Sequence, residues 1–153
     1  MRSFYRTLTF VIAGLVFVQS AMAVWAVSGL SKWVDDGGVF DKSVIESDGE
    51  MPFPEIWGII IHSMNGTFLI PLVGLILLIV SFFAHIPGGV KWAAIIFLLI
   101  AIQVTLGYMS HGIPLLGMLH GINALAIVGV SITAGRRVAQ VAPASVTTGV
   151  AGG

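Results

Sequence analysis

The sequence predicts an all-α polytopic membrane protein, an up-down bundle of four transmembrane helices. Of its 153 residues 57% are hydrophobic and only 9% charged, against about 25% charged in an average soluble domain. The mean hydropathy is +1.02. The apolar residues fall into four blocks, each long enough to cross a hydrocarbon core of about 30 Å.

The first block covers 8–30, behind Arg2 and Arg6. Ala21 and Ala23 around Met22 imitate a signal-peptidase site, yet the apolar run continues through Val24 to Val27, so the segment reads as the first transmembrane helix. A polar stretch, 31–55, forms the first loop. The remaining helices are expected at 56–83, 90–109 and 114–134. Between the second and third stand Ala84, His85, Ile86, Pro87, Gly88 and Gly89, a turn-forming run, and the next connection is shorter still. Short connections force neighbouring helices to be antiparallel. The four-helix domain then spans 1–137. The segment 138–153, rich in Ala, Val, Thr and Gly without a period, is expected to be a flexible tail. No internal repeat stands out.

Charge gives the orientation. Asp35, Asp36, Asp41, Glu46, Asp48, Glu50 and Glu55 all belong to the first loop and its margins, opposed there only by Lys32 and Lys42. At the opposite helix ends stand Arg2, Arg6, Lys91, Arg136 and Arg137, with no acid among them. The positive-inside rule therefore puts both termini in the cytoplasm and the acidic loop outside. Trp33 and Trp57 near the outer ends, and Tyr5 and Trp92 near the inner ones, read as interfacial anchors. A formal net charge of zero gives no support to nucleic-acid binding. The lack of cysteine excludes disulfides, thiolate metal sites, thiol catalysis and covalent c-type haem attachment.

Ionisable residues within membrane spans are costly and default to functional hypotheses. His62 and His120 each fall seven residues inside the outer ends of the second and fourth helices, about 10 Å at 1.5 Å per residue. In a four-helix bundle these helices can stand diagonally, with axes roughly 12 to 14 Å apart, a gap that suits two imidazoles with a porphyrin iron between them. Gly58 and Gly66 share a face with His62, and Gly117 and Ala124 flank His120, so small residues surround both rings. Such residues leave room for a macrocycle edge or serve ordinary helix packing. The histidines likewise have a second reading, as interhelical hydrogen-bonding groups partnered by Asn65, Gln103 or Asn123.

His111 shares a stripe with Gln103 and Gly107, which makes it a candidate third ligand or a propionate or proton partner at the mouth of the site. Zinc is disfavoured, because a structural site wants four ligands and no carboxylate or thiol lies at that depth. His85 reads as a solvated turn residue. Pro71 is expected to kink the second helix near Thr67, and Gln19 is a further buried polar group that can reach the core.

The stretch from Gln103 to Ala124, QVTLGYMSHGIPLLGMLHGINA, resembles the end of one four-helix half of the haem A synthase family, in which a Gln-x-x-Leu-Gly precedes a short outer turn and a ligand histidine. His120 matches that ligand. His62 matches the other by position, and Gln19 is similar to a glutamine on the family's first helix. The pattern is also similar to that of small actinobacterial four-helix membrane proteins. Ile59 stands where the family carries a glutamate and Ser63 where it carries an arginine. The outer-loop cysteine pair and the second four-helix half are also missing. The resemblance therefore implies a scaffold for one haem and not haem A synthesis.

The function expected is that of a bis-His haem b protein of the bacterial plasma membrane, serving electron transfer or haem handling. With one haem, an external redox partner must supply or take the electron. The alternative is a cofactor-free accessory subunit of a respiratory or other membrane complex. Either function implies contact with membrane lipid and with a complex partner or a second copy. A transporter fits poorly, since no charged residue lines the span interiors. Because the chain has no cysteine, single replacements report orientation cleanly: Ser43→Cys should react with an impermeant maleimide on intact cells, and Ser3→Cys only after permeabilisation.

Overall fold

The computed structural model describes residues 1–46 and 51–140; the tail from 141 onward, with Asp48 and Glu50 of the acidic loop, lies outside the described residues. Every regular element among the described residues is helical. The long helix α1 (Arg2–Asp35) is followed by the short α2 (Lys42–Glu46). The second long helix is composite: a 3₁₀ turn Pro54–Ile56, α3 (Trp57–Met64), a π turn Asn65–Leu69 and α4 (Ile70–Phe83). Two further helices complete the chain, α5 (Gly89–Met109) and α6 (Pro114–Gln140). Four helices, Arg2–Asp35, Pro54–Phe83, Gly89–Met109 and Pro114–Ala139, are long and apolar enough to cross a membrane. This is the architecture of a multi-pass membrane protein.

The boundaries differ from the expected 8–30 and 114–134. With 34 residues α1 is about 51 Å long, because nothing between Leu30 and Asp35 breaks a helix; it ends where Gly37 takes a φ of 99°. The fourth helix continues to Gln140, through the basic pair Arg136 and Arg137 and into the start of the expected tail. Asp41 opens α2 by accepting hydrogen bonds from the Ser43 N–H and hydroxyl, and these hold its carboxyl below the usual carboxylate range.

Each long helix packs against two others: α1 against α6 and the composite helix, and α5 against α4 and α6. The composite helix and α6 therefore stand across the bundle from one another. Buried apolar stripes line the half nearer the termini: Leu8, Ile12 and Val16 from α1; Ile70, Val73 and Leu77 from α4; Ala93, Ile96 and Ile100 from α5; and Ile127, Ala134 and Val138 from α6. Tyr5 closes the base by donating its hydroxyl proton to the Gly89 carbonyl, while Arg2 donates to the His85 carbonyl in the α4–α5 turn. Toward the acidic-loop end this core stops. Beyond Val16, Ile70, Ile100 and Ile127, the buried apolar side chains among the described residues are Ala26 and Phe53.

Gly58 lies buried on α3 against α1, where an added Cβ would collide with the Met22 carbonyl oxygen and touch Ala26. Replacing it with Leu should push the two helices apart and cost about 1–3 kcal/mol, visible as a lower midpoint of thermal unfolding in detergent.

Candidate functional site

Just above the apolar core, toward the acidic-loop end, the bundle carries a polar layer built twice from the same parts. In the first copy the His62 Nδ1 is hydrogen-bonded to the Gln19 carbonyl oxygen at 3.1 Å. Asn65 donates through Nδ2 to the Gln19 Oε1 at 3.1 Å and to the Leu15 carbonyl at 3.4 Å. In the second copy the His120 Nδ1 meets the Gln103 carbonyl at 3.0 Å. Asn123 donates to the Gln103 Oε1 at 2.6 Å and to the Leu99 carbonyl at 2.9 Å. Each unit thus joins a glutamine on one helix to a His-x-x-Asn on the next, with the asparagine also reaching the carbonyl four residues before the glutamine.

The duplication extends down the helices. Relative to Gln19, the buried residues Val16, Ile12, Thr9 and Tyr5 fall at the same offsets as Ile100, Ile96, Ala93 and Gly89 relative to Gln103. On the second helix of each pair Ile70, Gly74 and Leu77 correspond to Ile127, Ser131 and Ala134, all buried. The one departure is a single extra residue between Asn65 and Ile70 compared with Asn123 and Ile127. The π turn Asn65–Leu69 absorbs that residue, directly before Pro71, which has no N–H to continue an α-helical ladder. The expected disturbance at Pro71 is present in this form.

A carbonyl oxygen can only accept, so the hydrogen bond at each Nδ1 requires the ring proton there. In its neutral form each ring is then the tautomer whose Nε2 carries a free lone pair. The two ring centres are 6.1 Å apart with planes inclined at 47°. No hydrogen bond links the rings among the described residues. Two imidazoles on opposite faces of one metal, with bonds of about 2.0–2.1 Å and ring centres roughly 1 Å further out, stand about 6 Å apart. The donor set also discriminates among metals. No group of three or more His, Asp or Glu gathers among the described residues, so the side chains do not offer a four-ligand cage, whereas two axial nitrogens are what a porphyrin iron lacks. The pair fits haem.

The other expected site residues divide. Gly107 lies against His120, where an added Cβ would approach the ring at 3.2 Å. Gln103 supplies both the carbonyl to His120 and the side-chain acceptor to Asn123. Gly58 and Gly66 face α1, against Met22 and Ala26 and against the Gln19 amide, so the space they leave admits a helix and not a macrocycle edge. Gly117 is exposed, with only Ser110 within reach of an added Cβ. His111 is exposed in the turn beyond the end of α5, so the stripe with Gln103 and Gly107 does not extend to it. His85 is exposed in the α4–α5 turn. Sequence reasoning missed the pairing of each asparagine with its glutamine. The signal available for it was the short echo of Ile61-His-Ser-Met-Asn-Gly in Leu119-His-Gly-Ile-Asn-Ala.

No family model, curated protein or solved structure matches the chain.

Asn123→Leu should strand the Gln103 Oε1 in an apolar setting and destabilise the bundle by about 1–3 kcal/mol. Ile122→Ala, one residue away at a 56% exposed position, should leave the thermal midpoint nearly unchanged.

Proposed function

We propose that the chain is a b-type haem protein of the bacterial plasma membrane, holding one haem between His62 and His120 for electron transfer or haem handling. The supporting observation is the facing pair of imidazoles, 6.1 Å apart, each locked by a carbonyl at Nδ1 with Nε2 free. A haem held there by His62 and His120 would supply one-electron transfer.

The chain's own residues do the rest. Gln19 and Gln103 orient the rings through their carbonyls, and Asn65 and Asn123 hold those glutamines in place. The partners of both Nδ1 atoms are neutral carbonyls, so the ligands are neutral imidazoles with no carboxylate to draw off the proton.

In this reading the four helices alternate in direction across the membrane, with both termini cytoplasmic and the histidine pair in the outer leaflet, following the charge asymmetry of the sequence. A single redox group at one depth cannot carry an electron across the bilayer. Donor and acceptor must meet the protein from outside, as a complex partner or as a soluble or lipid-borne carrier.

Purified protein from cells supplied with haem should show a sharp reduced α-band, with close to one haem per chain by pyridine haemochrome. His62→Ala and His120→Ala should each abolish the low-spin spectrum, and His85→Ala should leave it intact. Equal behaviour of all three variants, or a featureless spectrum from folded protein, would rule the assignment out.

A further inference from the structure

The two copies of the polar unit act as controls for each other; they differ at the Gln19 Nε2, which donates to the His62 carbonyl at 2.9 Å, and at Asn65. Asn65 and Asn123 make the same pair of donations. Only Asn65 opens a π turn, and only its Oδ1 is buried with no hydrogen-bond donor. Its identity as the oxygen is fixed by the network, since a flipped amide would turn oxygen toward the acceptors Gln19 Oε1 and Leu15 O. Asn65 is itself 8% exposed. A buried acceptor left unpaired costs free energy of the order of a lost hydrogen bond, and within hydrocarbon no water offsets it.

The same residue lines a groove of about 570 Å³ on the composite helix, whose other walls include Trp57, Ile61, Met64, Phe68 and Leu72. His62 is not among the lining residues. Every lining residue but Asn65 is apolar or aromatic. Access to the amide requires Met64 and Phe68, 57% and 62% exposed on the same groove, to swing aside.

An occupant that satisfies Asn65 must donate a hydrogen bond, because Oδ1 can only accept. Acyl chains, esters and quinone carbonyls cannot donate. Depth narrows the choice further. Asn65 lies eleven residues below Pro54, about 16 Å at 1.5 Å per residue, near the middle of a hydrocarbon layer of about 30 Å. A phospholipid head group does not reach that level, whereas a neutral hydroxylated ring on an apolar tail does. The aromatic wall at Phe68 suits a flat ring.

We propose that this groove binds a lipid-soluble hydroquinone, with one ring hydroxyl donating to the Asn65 Oδ1 and the tail lying along Phe68 and Leu72. His62 does not line the groove, so haem-free protein should bind the ligand as well.

The test is calorimetric titration of the chain in nanodiscs, under reducing conditions, with 2-decylhydroquinone, its dimethyl ether and, separately without reductant, the corresponding quinone. The hydroquinone should bind saturably at one site, about ten-fold more tightly than either probe that lacks the donor. Asn65→Leu should erase that preference. Leu72→Trp, which fills the groove without touching the polar network, should abolish binding while leaving any haem spectrum unchanged. Equal affinity for the three probes, or hydroquinone binding that survives Leu72→Trp, overturns the proposal. Loss of the haem spectrum in His62→Ala together with retained hydroquinone binding supports it and separates it from the haem assignment.

Discussion

A polar group placed among apolar helices must find a partner inside the protein, and that requirement organises the whole bundle. Two glutamines, two asparagines and two histidines stand at one level of an otherwise hydrophobic interior. They are satisfied only if each glutamine helix lies at one register against the helix that follows it. Interhelical hydrogen bonds in membranes contribute only about 0.6 to 2 kcal/mol each. Their larger effect is to exclude other registers, in which buried amides would face hydrocarbon. Below this layer, toward the termini, the helices are sealed by interdigitated aliphatic side chains. Beyond it, the side chains buried from α1 and α3 serve the packing of those two helices on one another.

The two-fold repetition explains the shape of the chain. Eighty-four residues separate Gln19 from Gln103, but only 58 separate His62 from His120. The difference is the acidic loop with the helical extensions that border it, carried by the first helix pair alone. The histidines, one from each helix pair, bring their ring centres within 6.1 Å of one another. Loop and site are thus separable parts of the design: Trp33 stacks with Phe53, and Glu55 fills the space beside Gly29, so the loop folds back on α1.

The sequence made much of this legible. Hydropathy alone marked four helices, and both histidines could be placed at one depth because each falls seven residues inside an outer helix end, near Glu55 for one and Ile113 for the other. Partners that are main-chain atoms were not legible: the carbonyls of Gln19 and Gln103 leave no trace in residue identity, so the sequence suggested side-chain amides instead. The orientation of Gly58 and Gly66 was ambiguous for a related reason. A helix face is visible in the spacing, but which neighbour covers that face depends on tertiary packing. Pro71 announced a local disturbance without saying that it takes the form of a wide turn accommodating one extra residue.

The choice of main-chain carbonyls as partners for the imidazoles has a genetic corollary. A side-chain acceptor can be deleted by a single codon change, whereas a carbonyl remains whatever residue occupies the position. Substitutions at Gln19 or Gln103 therefore loosen the helix pairing without removing the acceptor itself. The ring proton at each Nδ1 is thus tied to helix register, and deleting the side chain of the accepting residue does not itself remove the acceptor.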